Sequence, residues 1–99
     1  MKNRIVIIDD EPELLDIMAI FIQSIFGDNI EIEAIPNWKQ YHSHEGDIVL
    51  HDLNGVGELP AYLSLSVKCI SLSGDLDLSP DLQKPFDFED LQRVISKVA

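Results

Sequence analysis

The chain is poor in cysteine, in basic residues and in unbroken apolar stretches, and each shortage closes off a class of protein. One cysteine among 99 residues, Cys69, cannot form an intramolecular disulfide, so this is not a small scaffold stapled by cross-links. Cys69 sits in the apolar run "VKCISL", which predicts a buried, inert thiol and fits a reducing cytoplasm. Seven Lys and Arg stand against eighteen Asp and Glu, a net charge of −11, which repels phosphate backbones and leaves no basic stripe for direct nucleic-acid binding. The longest apolar stretch, from Leu14 to Phe26, contains Asp16 and Gln23 and falls short of the ~20 residues a membrane span needs. No basic leader with a cleavage site precedes it, so neither export nor membrane insertion is expected. With 45% hydrophobic and 25% charged residues, no repeat and no low-complexity linker, residues 1–99 read as one soluble domain with one core and no effector domain.

What the chain does have is apolar runs that end in acids. "RIVIIDDEPE" carries Ile5 to Ile8 straight into Asp9, Asp10 and Glu11, with Pro12 next. Residues 4 to 9 match a strand buried on both faces, as in a parallel sheet. Pro12 opens a helix whose apolar residues recur at helical spacing until Gly27. "IEIEAI", from Ile30 to Ile35, alternates as an edge strand does. Asn37 is a plausible N-cap for a short helix that would carry Trp38, Tyr41, His42 and His44. "DIVLHD" is a third, buried strand closed by Asp52, and "VKCISLS" a fourth closed by Ser73. A short helix fits residues 61–65. Near the end, Asp87 can cap a helix with a stripe of Leu91, Val94, Ile95 and Val98. Strands alternating with helices call for a parallel sheet covered on both faces, with ligands bound beyond the carboxyl ends of its strands.

At that edge the order of strands collects Asp9, Asp10, Asp52, Ser73 and Lys84. Adjacent carboxylates repel one another and weaken a fold unless a positive species offsets them. Three hard oxygen donors in one cleft suit a small divalent cation, and Mg²⁺ typically takes one or two carboxylates and keeps its waters. A lysine and a hydroxyl opposite a metal are what a phosphoryl group requires: cations neutralise its charge and the hydroxyl donates to one of its oxygens. Asp52, on a central strand, is the carboxylate best placed to carry the group as a nucleophile.

The chain resembles the receiver domain of two-component response regulators through "IVIIDDEP", "DIVLHDLNG", "CISLSG" and "QKPF", in the family's order and over almost its whole length. The resemblance implies a flavodoxin-like, doubly wound α/β fold with a five-stranded parallel sheet in the order 2-1-3-4-5. It implies that Asp52 accepts a phosphoryl group from a histidine kinase or phosphotransfer protein. Mg²⁺ would be held by Asp10, Asp52 and the backbone carbonyl of Asn54, assisted by Asp9. Ser73 would move toward the acyl phosphate, Lys84 would bind a phosphoryl oxygen, and the Lys84–Pro85 bond would be cis. Output would pass to a downstream protein partner, and the exposed side of the last helix, often a dimer surface in receivers, raises a homodimer.

Several features depart from the family. Only ten residues separate Ser73 from Lys84, so the fourth helix is expected to be missing or a turn, and the short interval after Asp52 suggests a reduced third helix. The family's aromatic switch residue falls near Asp81, where no Phe or Tyr stands. His51, opposite in direction to Asp52 along its strand, reads as a core-facing histidine; His42 and His44, two apart, do not form a metal pair on a helix; Trp38 and Tyr41 read as core cover. Two functional readings follow: a stand-alone receiver phosphorylated on Asp52, with self-phosphorylation and autophosphatase chemistry and no external substrate, or a degenerate receiver that binds a partner without phosphorylation. A phosphohydrolase with an aspartyl-phosphate intermediate lacks the second acid, since Leu53 and Asn54 follow Asp52. A flavin carrier lacks the hydroxyl- and glycine-rich loop that should follow the first strand.

Overall fold

A computed structural model of the chain describes residues 3–60 and 67–98. The apolar runs become five parallel strands: β1 (Asn3–Ile8), β2 (Ile30–Ile35), β3 (Ile48–Asp52), β4 (Lys68–Ser73) and β5 (Leu82–Gln83). They form one sheet in the order 2-1-3-4-5, all neighbours parallel. Among the described residues there are two α-helices, α1 (Pro12–Phe26) and α2 (Phe88–Val98), and neither is long and apolar enough to cross a membrane.

Each face of the sheet owns one parity of the strand residues, because successive side chains point to opposite sides. Ile5, Ile7, Ile48, Leu50, Ile70, Leu72 and Leu82 pack against Leu15, Met18 and Ile22 of α1 and Leu91 and Ile95 of α2. Val6, Ile8 and Val49 pack on the other side under Trp38, Tyr41 and Val56, so both aromatics are core cover. β1 and β3, paired with strands on both sides, are apolar on both faces, and β2, on the edge, keeps Glu31 and Ala34 exposed. Asp87 caps α2 as expected: its carboxylate accepts the Asp90 N–H at 2.8 Å, and the Asp87 N–H reaches back to Asp90.

Two local expectations change. The helix after Asn37 is only a 3₁₀ turn at Trp38–Gln40; Asn37 does cap it, accepting the Lys39 N–H at 2.9 Å. His42 and His44 therefore stand outside any helix. That stretch of chain is captured by Asp47, whose carboxylate accepts from the His44 N–H, the Tyr41 hydroxyl and the Arg4 guanidinium, and a continuing helix could not make those bonds. Cys69 is exposed rather than buried, because it shares the sheet face of Val49 at a point where the fourth-helix region has shrunk to a 3₁₀ turn at Leu76–Leu78. Its thiol is nonetheless pushed up from its ordinary pKa, first by partial burial and then by the charge of Asp81, which suppresses the reactive thiolate. The helix expected at residues 61–65 lies outside the described residues.

Candidate functional site

Asp9, Asp10, Asp52, Ser73 and Lys84 do meet at the carboxyl edge of the sheet, each delivered by the end of a strand. Asp9 follows β1 and is still in the ladder, its N–H donating to Ile35 O at 3.1 Å, while its side chain is fully buried. Its Oδ1 accepts the N–H of Glu11 at 3.0 Å. Glu11 precedes Pro12 at the start of α1, so the partly positive end of the helix faces the acids. Asp52 closes β3, 7% exposed, with Oδ1 accepting the Asn54 N–H at 3.1 Å.

One ammonium joins the two buried acids. Lys84 Nζ lies 2.7 Å from Asp9 Oδ2 and 2.9 Å from Asp52 Oδ2. Burial pulls the lysine pKa down, but the bonds to Asp9 and Asp52 outweigh it and leave the pKa raised. Lys84 is aimed there by its own backbone, whose N–H donates to Ser73 O at 2.8 Å, just before a cis bond to Pro85. Ser73 ends β4 almost fully buried, its Oγ accepting the Asp75 N–H at 3.0 Å.

These groups rim a polar cleft of about 460 Å³ lined by Asp10, Asp52, Asn54, Ser73 and Lys84 among others. Asp9, Asp10, Glu11 and Asp52 each bring a carboxylate oxygen within 4.8 Å of the others. Four carboxylates against one ammonium leave the cleft strongly negative. All-oxygen donors at such spacing, two of them exposed to exchange waters, fit a hard divalent cation better than a soft one.

Glycine 55 was not singled out from the sequence, and it shapes the site. It adopts φ +78°, and a Cβ there would stand 2.3 Å from Asp10 Oδ2; only glycine lets the loop after β3 close on Asp10. The Asn54-Gly55 pair, one residue beyond an acid-terminated strand, was the available signal. Also missed was the network at the opposite end of the sheet, where Arg4 binds Asp47 at 2.7 Å and Glu33 at 2.6 Å, with Asp47 only 1% exposed. An isolated Arg and Asp 43 residues apart carry no local pattern.

His51 is 9% exposed and packs its ring 5.2 Å from Trp38 on the face away from the cleft. Burial pushes its pKa below the ordinary value, as suits a neutral core histidine. Asp81, in place of an aromatic, binds Ser71 of β4 through its carboxylate at 2.9 Å.

A five-stranded parallel sheet in the order 2-1-3-4-5 with an acid cleft at its carboxyl edge defines the class of fold. No protein-family model matches the chain, and no curated protein sequence matches it. Solved structures do. A chemotaxis response regulator of Vibrio cholerae superimposes with a TM-score of 0.66 at 12% identity, covering 100% of both chains. A response regulator from Colwellia psychrerythraea gives 0.65 at 19% identity, covering 99% of this chain and 98% of that one. The fold is thus that of response-regulator receivers, and the likeness at these identities is one of fold.

Proposed function

We propose that the protein is a receiver of two-component signalling, phosphorylated on Asp52 by a histidine kinase or phosphotransfer protein and read by a protein partner. The observation that carries this reading is the Lys84 ammonium, 2.9 Å from an Asp52 oxygen at the mouth of a cleft that Ser73 and Asp10 also line. In the transfer, an Asp52 oxygen forms a P–O bond as the donor's P–N bond breaks, and the departing imidazole leaves with its proton. Lys84 neutralises one phosphoryl oxygen and aligns the carboxylate. The Ser73 hydroxyl, released from Asp75, donates to another. Asp10, Asp52 and the carbonyl of Asn54, supported by Asp9, would hold Mg²⁺, which when bound supplies charge neutralisation at the transferring group.

The test is the amide NMR spectrum with Mg²⁺ before and after beryllium fluoride, a mimic of the acyl phosphate, with Asp52→Asn as control. Shifts at Asp52, Ser73 and Lys84 that vanish in the control and spread into α2 are expected. An unchanged spectrum removes Asp52 as acceptor and leaves the second reading, a partner-binding module independent of phosphorylation. That second reading draws its support from the 3₁₀ turn that stands where a fourth helix would carry output.

A further inference from the structure

β5 is two residues long, yet it must deliver Lys84 to two carboxylates. Only Leu72–Leu82 and Ser73–Gln83 pair it with β4. The six residues before Pro80, 74 to 79, are all exposed, so nothing in that stretch seats the strand. The first anchor is Asp81. Its carboxylate accepts the Ser71 N–H at 2.9 Å and lies 3.1 Å from the Ser71 hydroxyl, which in turn accepts the Asp81 N–H at 2.9 Å.

We propose that Asp81 is a positioning residue whose clamp on Ser71 stands in for the strand pairs β5 lacks and fixes where Lys84 meets Asp9 and Asp52. Asp81 and Lys84 are three residues apart, a span of at most about 10 Å, so an error at one end passes to the other. Leu82 decides which face of the strand is buried, but apolar contact is non-directional and tolerates sliding. The three bonds at Ser71 do not, because hydrogen bonds weaken steeply with angle and distance. A merely solvated acid in a chain of net charge −11 would gain nothing from this geometry.

The consequence for phosphorylation rests on the function proposed above; the placement of Lys84 does not. Asp81→Ala, Asp81→Asn and Ser71→Ala are compared by amide exchange, by the Lys84 Nζ signal without Mg²⁺, and by beryllium fluoride affinity with Mg²⁺. In Asp81→Ala the Ser71 amide should exchange at least about tenfold faster and the held Lys84 signal broaden; affinity should fall roughly ten- to a hundredfold, the scale of a small misplacement at a reacting centre. Asp81→Asn, whose side-chain carbonyl still accepts from Ser71, should stay within about threefold of the parent. A folded Asp81→Ala with an unmoved Lys84 signal overturns the proposal. If that variant does not fold, Ser71→Ala decides, since it removes both hydroxyl bonds and keeps the amide's: a displaced Lys84 signal upholds the three-bond clamp and an unmoved one overturns it. Failure of the parent to bind beryllium fluoride sinks the phosphoryl reading alone, since the Lys84 signal still judges the clamp.

Discussion

Replacing Lys84 with methionine keeps most of the side chain's stem and removes its charge, leaving Asp9 fully buried with one hydrogen bond, from Glu11. Losing one partner of a buried ion pair costs about 3 to 5 kcal/mol. Lys84 is 16% exposed and Asp52 9% at the side chain, so some solvent screens the loss, and we expect about 2 to 3 kcal/mol. At roughly 4 to 8 °C per kcal/mol for a domain of this size, Tm should fall by about 10 to 20 °C in metal-free buffer. Urea unfolding gives the free energy directly, and a cycle with Asp9→Asn should return a coupling above about 1 kcal/mol. Mg²⁺ supplies a check with its own sign: a ligand at 100 times its Kd stabilises by about 2.7 kcal/mol, and Lys84→Met, with four acids left unopposed, should gain more from it than the parent. A loss below about 0.5 kcal/mol, with no coupling to Asp9, would refute the claim that this ammonium holds the acid cluster together.

Three further outcomes follow from the same geometry. Asp10→Asn, which removes one charge from an exposed position in the acid cluster, should raise stability without metal by up to about 1 kcal/mol and weaken Mg²⁺ binding, read by calorimetry. Gly55→Ala combines a strained φ with a clash on Asp10 and should cost about 1 to 3 kcal/mol while lowering Mg²⁺ affinity; unchanged affinity would mean that Asp10 is no ligand. Tyr41, pushed up to about 12 by burial and then by its bond to Asp47, has a folded pKa above its unfolded one. Its contribution to stability is complete below pH 10 and is lost as pH rises through about 12, so an absorbance titration should show a late tyrosinate step that Tyr41→Phe abolishes.

The strands were legible because a parallel sheet with both faces covered writes itself as continuous apolar runs, and the meeting of the candidate site's residues was legible because those runs end in acids. Asp9, Asp52 and Ser73 needed no tertiary information beyond strand ends facing one edge. Lys84 needed one more inference, that a strand of only two residues, Leu82–Gln83, exists before Pro85. What escaped was decided by contacts distant in sequence. The helix after Asn37 stops because Asp47 collects the chain behind Tyr41. Cys69 was read as core because its neighbours Val67 and Ile70 are apolar, whereas its exposure depends on the length of the segment from residue 74 to 81.

That shortened segment links the misread cysteine to the reading of output. Where a helix would cover β4, a 3₁₀ turn leaves Leu76 at 64% and Leu78 at 43% exposed, and Asp81 bonds β5 to Ser71. Ser71 and Ser73 lie two apart on β4 and so share a face. If Ser73 moves toward a phosphoryl group as proposed above, it would pull on the strand that Asp81 grips, and the rearrangement would have a covalently short route to β5 and on to α2 without any aromatic side chain. If the route operates, beryllium fluoride should shift the Ser71 and Asp81 amides together with those of Leu91 and Ile95. In Asp81→Asn those shifts should persist, because the amide still accepts from Ser71, and in Asp81→Ala the shifts in α2 should collapse while those at Asp52 remain. Equal shifts in α2 for both variants would show that the change travels by another path.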